Sequence, residues 1–437
     1  MRWRSTRSPT TARFMDALFR GQAPDGGLYV PVGPLRIDVA AILRASRSFQ
    51  DTALGVARDL LGDEVPAASL HSAVAEALDF PVPLTRLEED LHILELFHGP
   101  TLAFKDVGAR FMAALMDRLD PEPHRDRIVL VATSGDTGSA VAHAFRGRDR
   151  FHVVVLFPES GVSARQRRLF STLGENVTAA GVAGGFDDCQ RLAKEAFRHD
   201  VAGRLRLTAA NSINPGRLLP QMFYYVEALR QLEPAPACAF SVPSGNLGNL
   251  TAGLMAAMAG LPVLGFTAAL NTNDAFLRYL RTGEHRPRPA HGTLSNAMDV
   301  GDPSNLERIR HLNDDDPVRL RRHVRAAAFD DTATLECITR VYRQHGYVID
   351  PHGAVGVLGA RAWREATGGG GPVVALATAH PAKFPEVVEP AIGETVAIPD
   401  RLAAALAGDE RVVPLEPRLD ALLALLDRVL GGREART

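Results

Sequence analysis

Short apolar runs alternate with longer amphipathic stretches from Pro83 almost to the end of the chain. The strand-like runs are RIVLVA, FHVVVLF, NVTAAGV, LRLTAA, ACAFSV, PVLGFTAAL and PVVALAT. Stretches with helical spacing lie between most of them, for example DDCQRLAKEAF, GRLLPQMFYYVEALRQL and TAGLMAAMAG. Strands that alternate with helices indicate a parallel sheet with helices on both faces, and nearly continuous apolar runs are typical of strands buried on both sides. The sequence therefore predicts a doubly wound α/β fold.

Composition narrows the class of protein. The 437 residues predict two or three domains, and 46% hydrophobic with 23% charged residues is typical of a globular protein. The net charge of -2 gives no overall basic field, so we expect no nucleic-acid partner. The three cysteines lie far apart, which favours neither disulfides nor a metal cluster and suits the cytoplasm. We find no apolar run of about 18 residues and therefore expect no membrane span.

One lysine has unusual neighbours in the stretch HGPTLAFKDVGARF. Lys105 follows Leu102, Ala103 and Phe104 at the predicted start of a helix, although cations are favoured at the opposite end of a helix. It could be a solvated surface residue, which is the usual place of a lysine. A lysine in apolar surroundings can also act as a nucleophile or form a Schiff base with an aldehyde.

Two polar loops follow predicted strands and lead into predicted helices. The first is TSGDTGS, residues 133 to 139, and the second is SGNLGN, residues 244 to 249. Backbone N–H groups converge at the start of a helix and favour an anion there, although each loop could also be a well-capped turn. Neither loop fits the phosphate-loop pattern of nucleotide-binding proteins or the GxGxxG pattern of dinucleotide-binding proteins.

Three further polar clusters could be sites or only turns. They are Thr378, His380 and Lys383 in ALATAHPAKF; Asn211, Ser212, Asn214 and Arg217 in NSINPGR; and Ser295, Asn296 and Asp299 in TLSNAMDVGDPSN. A lysine in an apolar setting together with a Gly/Asn loop that can cradle a phosphate suits pyridoxal phosphate. That cofactor joins its aldehyde to a lysine, and its phosphate accepts hydrogen bonds from backbone donors.

The chain resembles the threonine synthase family, of the longer type found in bacteria and fungi, whose members are fold type II pyridoxal-phosphate enzymes. The motifs that carry the resemblance run almost from end to end: STRS, APDGGLYVP, FHGPTLAFKD, TSGDTGSAVAHAF, NSIN, PSGNLGN, TLSNAMDVGDPSN, DPHGAVG and TAHPAKF. The resemblance implies two doubly wound parallel-sheet lobes with a small helical N-terminal domain. We expect an N-terminal domain over 1–82, a catalytic domain over 83–390 with its smaller lobe at about 125–230, and a helical extension over 391–437.

The resemblance also implies roles for individual residues. Lys105 would be the catalytic residue that carries the cofactor, and Thr378 would face its pyridine nitrogen. Its phosphate would be cradled by Ser244, Gly245, Asn246, Leu247, Gly248 and Asn249. Substrate contacts are expected from Thr133, Ser134, Gly135, Asp136, Thr137, Asn211 and Asn214, with Arg165, Arg167 and Lys383 as candidate cations for the substrate phosphate.

The implied reaction converts O-phospho-L-homoserine and water to L-threonine and phosphate, the last step of threonine biosynthesis, in a monomer or homodimer. Two alternatives stay open: another pyridoxal-phosphate reaction, such as that of a threonine dehydratase or a sulfhydrylase, and a relative that binds a phosphorylated metabolite without turnover. The chain departs from the family pattern at Ser8, where glycine is usual, at Leu247, where an aromatic residue is common, and at Pro215 and Gly216. Relatives in other branches carry asparagine at the position of Asp136.

Overall fold

The computed structural model describes residues 1–159, 162–200, 203–232 and 237–431. The N-terminal part contains three short strands and four helices: β1 (Arg2–Ser5), β2 (Thr11–Arg13), α1 (Phe14–Arg20), β3 (Tyr29–Val32), α2 (Val39–Ala45), α3 (Phe49–Leu61) and α4 (Ala67–Ala77). The strands form an antiparallel sheet in the order β2-β1-β3. The helices were expected, whereas this sheet was not, because strands of three or four residues are too short to show a clear alternation.

The middle of the chain supplies the next six strands and the helix that begins at Lys105. Its elements are β4 (Leu84–Glu88), β5 (Leu91–Glu95), α5 (Lys105–Leu119), β6 (Arg127–Ala132), α6 (Asp136–Phe145), β7 (Phe151–Pro158), α7 (Ala164–Ser171), β8 (Val177–Val182), α8 (Phe186–His199), β9 (Leu207–Ala209), α9 (Pro215–Leu218) and α10 (Met222–Gln231).

The remaining elements complete both sheets. They are β10 (Cys238–Pro243), α11 (Gly248–Met258), β11 (Val263–Leu270), α12 (Ala275–Thr282), α13 (Leu306–Leu312), α14 (Pro317–Leu320), β12 (Val324–Ala328), α15 (Asp331–His345), α16 (Pro351–Thr367), β13 (Val373–Ala377), α17 (Pro385–Ile392), α18 (Asp400–Ala407), β14 (Val412–Leu415) and α19 (Leu419–Gly431).

Two parallel sheets form the two lobes. The larger lobe has the order β12-β11-β10-β13-β5-β4, in which only the β4–β5 pair is antiparallel. The smaller lobe has the order β14-β8-β7-β6-β9 and is parallel throughout. This arrangement confirms the predicted α/β fold.

Each buried strand of the smaller lobe contributes side chains to two hydrophobic cores, one on each face of the sheet. In β6, Ile128 and Leu130 pack with α8 and α19, whereas Val129 and Val131 face the opposite core with α6. Every residue of β6 is buried, as a strand covered by helices on both faces requires. The carboxyl ends of β6, β10 and β13 therefore carry loops into the space between the lobes, where ligands bind in doubly wound sheets.

The C-terminal segment differs from the expected helical extension. β14 pairs in parallel with β8, from Val412 opposite Ala179 to Leu415 opposite Val182, and α19 packs against α8. A four-residue run such as VVPL is too short to be predicted as a strand from the sequence alone, before its pairing partner is known. Residues 432–437 of the expected extension lie outside the described residues. Among the described helices, none combines the length and the apolar character that crossing a membrane requires.

Truncating a buried leucine of α19 should destabilise the smaller lobe. Leu426 is fully buried in the core shared with α8, and Leu→Ala at such a site costs about 2–5 kcal/mol. We expect Leu426→Ala to lower the melting temperature measured by circular dichroism. Leu423→Ala, at a half-buried position of the same helix, is the matched control and should lower it less. Equal effects of the two substitutions would contradict this packing.

Candidate active site

Lys105 is the first residue of α5, and the turn before it is fastened to the end of β13. Leu102 in this turn has a φ of 57°, a left-handed conformation that is uncommon for a bulky side chain. The N–H of Phe104 donates to the carbonyl of Thr378 at 2.9 Å, and the N–H of His380 donates to the carbonyl of Leu102 at 3.1 Å. These two bonds fix the start of α5 against the larger sheet.

The side chain of Lys105 lies in a cavity of about 1460 Å³ and is 17% exposed. The solvated surface position is therefore excluded. Burial lowers the pKa of the Lys105 amine, and the nearby charges of Lys383 and Arg217 lower it further, against the opposing effect of Asp136. A lowered pKa favours the neutral amine, which is the form that reacts with an aldehyde.

Asp136 opens α6 at the carboxyl end of β6 and lies between two lysines. One oxygen, Oδ2, is 3.6 Å from Lys105 Nζ, and the other, Oδ1, is 2.5 Å from Lys383 Nζ. The amide of Gln166 also donates to Oδ1 at 3.0 Å. Burial opposes ionisation of Asp136, but the two ammonium groups outweigh it and hold the pKa of the carboxyl well below its usual range.

The polar loop before α6 presents backbone donors to the same cavity. Thr133 Oγ1 accepts from the N–H groups of Gly135 and Gly138, both at 2.9 Å, and so closes the loop on itself. Gly135 has a φ of 140°, which favours glycine. Ser134 and Thr137 are half-buried and line the cavity. The first turn of α6 therefore lies at the cavity wall, where its backbone N–H groups can bind an anion.

The second polar loop, residues 244–249, ends β10 and begins α11. Leu247 has a φ of 60° and places its N–H at the start of the helix. Asn249 Oδ1 accepts from the hydroxyls of Tyr224 and Tyr225, each at 2.7 Å. Its side-chain nitrogen is buried and has no hydrogen-bond partner in the part of the chain that the structure describes. A buried donor that lacks an acceptor, at the start of a helix, is suited to a phosphate.

Side chains from two other segments hold this loop in place. Asn246 Nδ2 donates to Ser212 Oγ at 2.8 Å, and Asn246 Oδ1 accepts from the N–H of Ser304 at 2.6 Å. Asn305 Nδ2 donates to Ser212 Oγ at 3.1 Å and to the carbonyl of Asn246 at 3.0 Å. The segments that contain Ser212 and Asn305 therefore fix the shape of the loop.

Arg308, in α13, ties this network to the N-terminal domain. Its guanidinium donates to the carbonyls of Tyr29 at 3.0 Å and Ser212 at 2.8 Å, to the Asn305 side chain at 2.7 Å, and to the carbonyl of Ile213. Arg308 is fully buried, and burial lowers its pKa to about 9. A buried cation held by so many acceptors is costly to leave unpaired.

Arg217 is a residue whose role the sequence did not reveal. It lines the cavity, is 3% exposed, and packs its Nε against Gly108, one turn after Lys105. Its Nη1 donates to the carbonyl of Ala210, whereas its Nε has no partner among the described residues. Arg217 forms no ion pair with a described carboxylate, and Asp106 is the acidic group whose charge acts on it. Burial lowers its pKa to about 10. The position of the arginine in NSINPGR, within the first turn of a helix that begins with proline, was the available signal.

The cavity fits a phosphorylated aldehyde. Lys105 supplies a largely buried amine, the start of α11 supplies backbone donors with the unpartnered amide of Asn249, and Thr378 supplies a hydroxyl-bearing residue at the end of β13. These are the groups that pyridoxal phosphate requires: a lysine for its aldehyde, donors for its phosphate and a polar partner for its ring.

Comparison with known proteins agrees with the cavity. Three family models match the chain: "Threonine synthase N terminus" over residues 2–78, "Pyridoxal-phosphate dependent enzyme" over 79–379, and "Threonine synthase, C-terminal" over 353–425. Threonine synthase of Escherichia coli (strain K12) is 42% identical over 394 residues, which cover 89% of this chain and 90% of the relative. The chain belongs to the threonine synthase family. It is thus a pyridoxal-phosphate-dependent lyase with the fold type II architecture.

Solved structures of threonine synthases have the same fold. The crystal structure of the Escherichia coli enzyme superimposes with a TM-score of 0.90 at 39% identity, covering 98% of this chain and all of that one. The structure of the enzyme from Brucella melitensis with pyridoxal phosphate bound gives 0.89 at 36% identity, covering 98% of this chain and 99% of that one.

Most site residues expected from the threonine synthase resemblance line the cavity. They are Lys105, Thr133, Ser134, Asp136, Thr137, Asn211, Ser244, Gly245, Asn246, Leu247, Gly248, Asn249 and Thr378. Their individual roles remain predictions. The structure does not bring Gly135, Arg165, Arg167, Asn214 or Lys383 to the cavity wall.

The two arginines of α7 are engaged elsewhere. Arg167 forms a two-pronged ion pair with Glu410, with distances of 2.8 and 3.1 Å. Arg165 donates to the carbonyl of Ala382. Arg167 is thus directed to the C-terminal segment, whereas Arg165 contacts the turn after β13. The resemblance gave both as candidate cations for the substrate phosphate, and that role remains a prediction.

Asn214 and Lys383 also lie behind the cavity wall, and their expected contacts with the substrate remain predictions. Asn214 is fully buried and caps α9: its amide donates to the carbonyls of Leu18 and Ala209, both at 2.9 Å, and accepts from the N–H of Gly216 at 2.8 Å. These bonds engage both the oxygen and the nitrogen of the side chain. Lys383 is fully buried against Asp136 and does not reach the cavity.

Gly245→Ala should weaken the binding of pyridoxal phosphate. A Cβ at this position would lie 2.7 Å from Met298 Cα, a contact that only a shift of one backbone segment can relieve. We expect the dissociation constant of the cofactor to rise at least about tenfold, which corresponds to 1.4 kcal/mol. Gly185→Ala is the control, since no atom lies within 4 Å of its Cβ position. An unchanged constant for Gly245→Ala would remove this loop from the cofactor site.

Arg308→Met should weaken cofactor binding indirectly, by removing support from the loop over 244–249. The substitution leaves four acceptors of the network without their donor, so we expect lower cofactor affinity together with a lower melting temperature. Arg310→Met, on the same helix, removes a half-exposed ion pair to Asp315 and should change both by little. Equal cofactor titrations of the two variants would show that Arg308 does not support the loop.

Proposed function

We propose that this chain converts O-phospho-L-homoserine and water to L-threonine and phosphate. The observation that carries the proposal is that one cavity brings three features suited to anions around Lys105: the start of α11, the start of α6 and the buried guanidinium of Arg217, whose Nε has no partner among the described residues. A cofactor phosphate, a substrate carboxylate and a substrate phosphate make three anions. A substrate without a phosphate would leave one of these features unused.

Residues of both lobes would hold the cofactor. Lys105 would bind its aldehyde, the loop over 244–249 its phosphate, and Thr378 the pyridine nitrogen. The bound cofactor spreads negative charge from the substrate's carbon atoms into its ring, which is chemistry that no protein side chain supplies.

The chain's own residues would orient the substrate and move its protons. The backbone donors between Thr133 and Thr137 fit the substrate carboxylate, and Arg217 fits its phosphate and the phosphate that leaves. Lys105 Nζ, as a neutral amine, would take and return protons at the Cα, Cβ and Cγ atoms. The walls of the two lobes would limit the access of water to one attack at Cβ.

The alternative functions have less support. A threonine dehydratase or sulfhydrylase has no substrate phosphate for Arg217 to bind, and a sensor without turnover has no need of a reactive amine at Lys105. We further propose a cytoplasmic enzyme that is a monomer or homodimer and has no nucleic-acid partner; its mass in solution by light scattering tests the oligomeric state.

Lys105→Ala tests the proposed reaction. Wild-type protein should release equal amounts of inorganic phosphate and L-threonine from O-phospho-L-homoserine, and the variant should lose at least about 10³-fold in rate because a positioned proton-transfer group contributes that much. Lys194→Ala is the control, since that lysine is exposed on α8. Phosphate release without threonine, or 2-oxobutanoate formed from threonine as the main activity, would overturn the proposal.

Arg217→Met should separate substrate binding from cofactor binding. Hydrogen bonds to a charged group contribute about 1.5–3 kcal/mol, so KM for O-phospho-L-homoserine should rise about 10- to 100-fold. Cofactor affinity should stay within about twofold of wild type, because the loop over 244–249 is untouched. A loss of cofactor with no effect on KM would assign Arg217 to the cofactor instead.

A further inference from the structure

Lysine is rare in this chain, and its distribution is informative. The sequence has 49 lysines and arginines together, of which only Lys105, Lys194 and Lys383 are lysines. Lys194 is exposed, whereas the other two meet at one carboxylate, that of Asp136. A chain that uses arginine for nearly all of its positive charges has kept lysine at both positions beside Asp136.

Lys383 is placed as a partner of Asp136 and not as a ligand-binding residue. It is fully buried in the turn after β13, and its Nζ contacts Asp136 Oδ1 at 2.5 Å and the carbonyl of Thr101 at 3.2 Å. Asp136 Oδ2 remains directed to Lys105 Nζ at 3.6 Å. The carboxylate therefore links the two lysines through its two oxygens.

The other charges around this group are fixed by the same turn. Asp106, next to Lys105, is buried and accepts from the N–H and hydroxyl of Thr101, at 2.8 and 2.6 Å. Two further cations act on this group: Arg217 acts on Lys105, and Arg110 acts on Asp106. Lys383 therefore acts on both carboxylates, through contact with Asp136 and through its charge on Asp106. Its positive charge offsets the negative charge that Asp136 presents to Lys105.

We propose that Lys383 is a positioning residue that sets the proton affinity of the nitrogen at Lys105 by neutralising Asp136. The proposal rests on attachment of the cofactor to Lys105, as proposed above. With Lys383 present, Asp136 has a permanent partner and does not need a proton on the Lys105 nitrogen. Without it, Asp136 would have that nitrogen as its nearest cation, and the protonated form would be favoured.

The chemistry of the side chain explains why lysine occupies this position. An ammonium group is a compact point charge that satisfies two acceptors in a closed space, whereas a guanidinium is a broad planar fork that needs more room and more acceptors. Lys383 has no exposed surface, so the space beside Asp136 suits a compact ammonium group and not a guanidinium.

The pH dependence of the visible absorption of the holoenzyme tests the proposal. The band of pyridoxal phosphate bound to a lysine changes with protonation of the linking nitrogen, so its midpoint measures that proton affinity without turnover. Lys383→Met removes the positive charge and leaves Asp136 beside the nitrogen, so the midpoint should rise by at least about one pH unit, a tenfold change. Lys194→Met, the same substitution at the exposed lysine, should leave the midpoint in place.

A second variant reverses the sign. Asp136→Asn leaves the charge of Lys383 without a counter-charge and should lower the midpoint, while the double variant Lys383→Met/Asp136→Asn should return towards wild type. A midpoint for Lys383→Met that stays within about 0.3 pH units of wild type, or falls, would overturn the proposal. If Lys383→Met does not fold, a midpoint for Asp136→Asn that is unchanged or raised does the same. If the wild-type holoenzyme has no visible absorption band that disappears in Lys105→Ala, that result would instead contradict attachment of the cofactor at Lys105.

Discussion

Two backbone hydrogen bonds between the turn before α5 and the end of β13 organise the active site. They join the carbonyls of Leu102 and Thr378 to the N–H groups of His380 and Phe104. Because of them, the lysine at the start of one helix, the threonine at the end of one strand and the buried Lys383 belong to a single rigid unit. The loop over 244–249 at the end of β10 is placed relative to this unit by the pairing of β10 with β13. The smaller lobe then supplies Asp136 from the opposite side.

Much of this arrangement could be predicted from the sequence, because buried parallel strands are visible as apolar runs and polar loops follow their carboxyl ends. β6, β7, β10 and β13 lie where their apolar runs indicated, and both anion loops reach the cavity. What spacing could not give was direction. Arg167 is near the site along the chain but points to Glu410, and Asn214 is used up by capping α9. Arg217 is the converse case, since only tertiary packing shows that its guanidinium is buried at the cavity without an ion pair to any described carboxylate.

The N-terminal domain is coupled to the cofactor loop by contacts that the sequence did not suggest. Arg308 donates one hydrogen bond to the carbonyl of Tyr29 in β3 and others to the segment around Ser212. The same helix, α13, carries Glu307, which pairs with Arg7. The N-terminal domain, which also contributes Arg20 and Gln22 to the cavity wall, thereby restricts the positions of Ser212 and Asn305. These two residues in turn hold Asn246. Its contribution is a fixed boundary for the loop.

The return of the chain to the smaller lobe has a consequence for the order of assembly during synthesis. Strands β6 to β9 emerge early, but their sheet lacks β14 until the entire larger lobe has been made. Until then β8 is an edge strand with unpaired backbone groups, and the face of α8 that later receives α19 is uncovered. A nascent chain of this kind exposes an adhesive surface for most of its translation, a period in which chaperones have a natural place to bind.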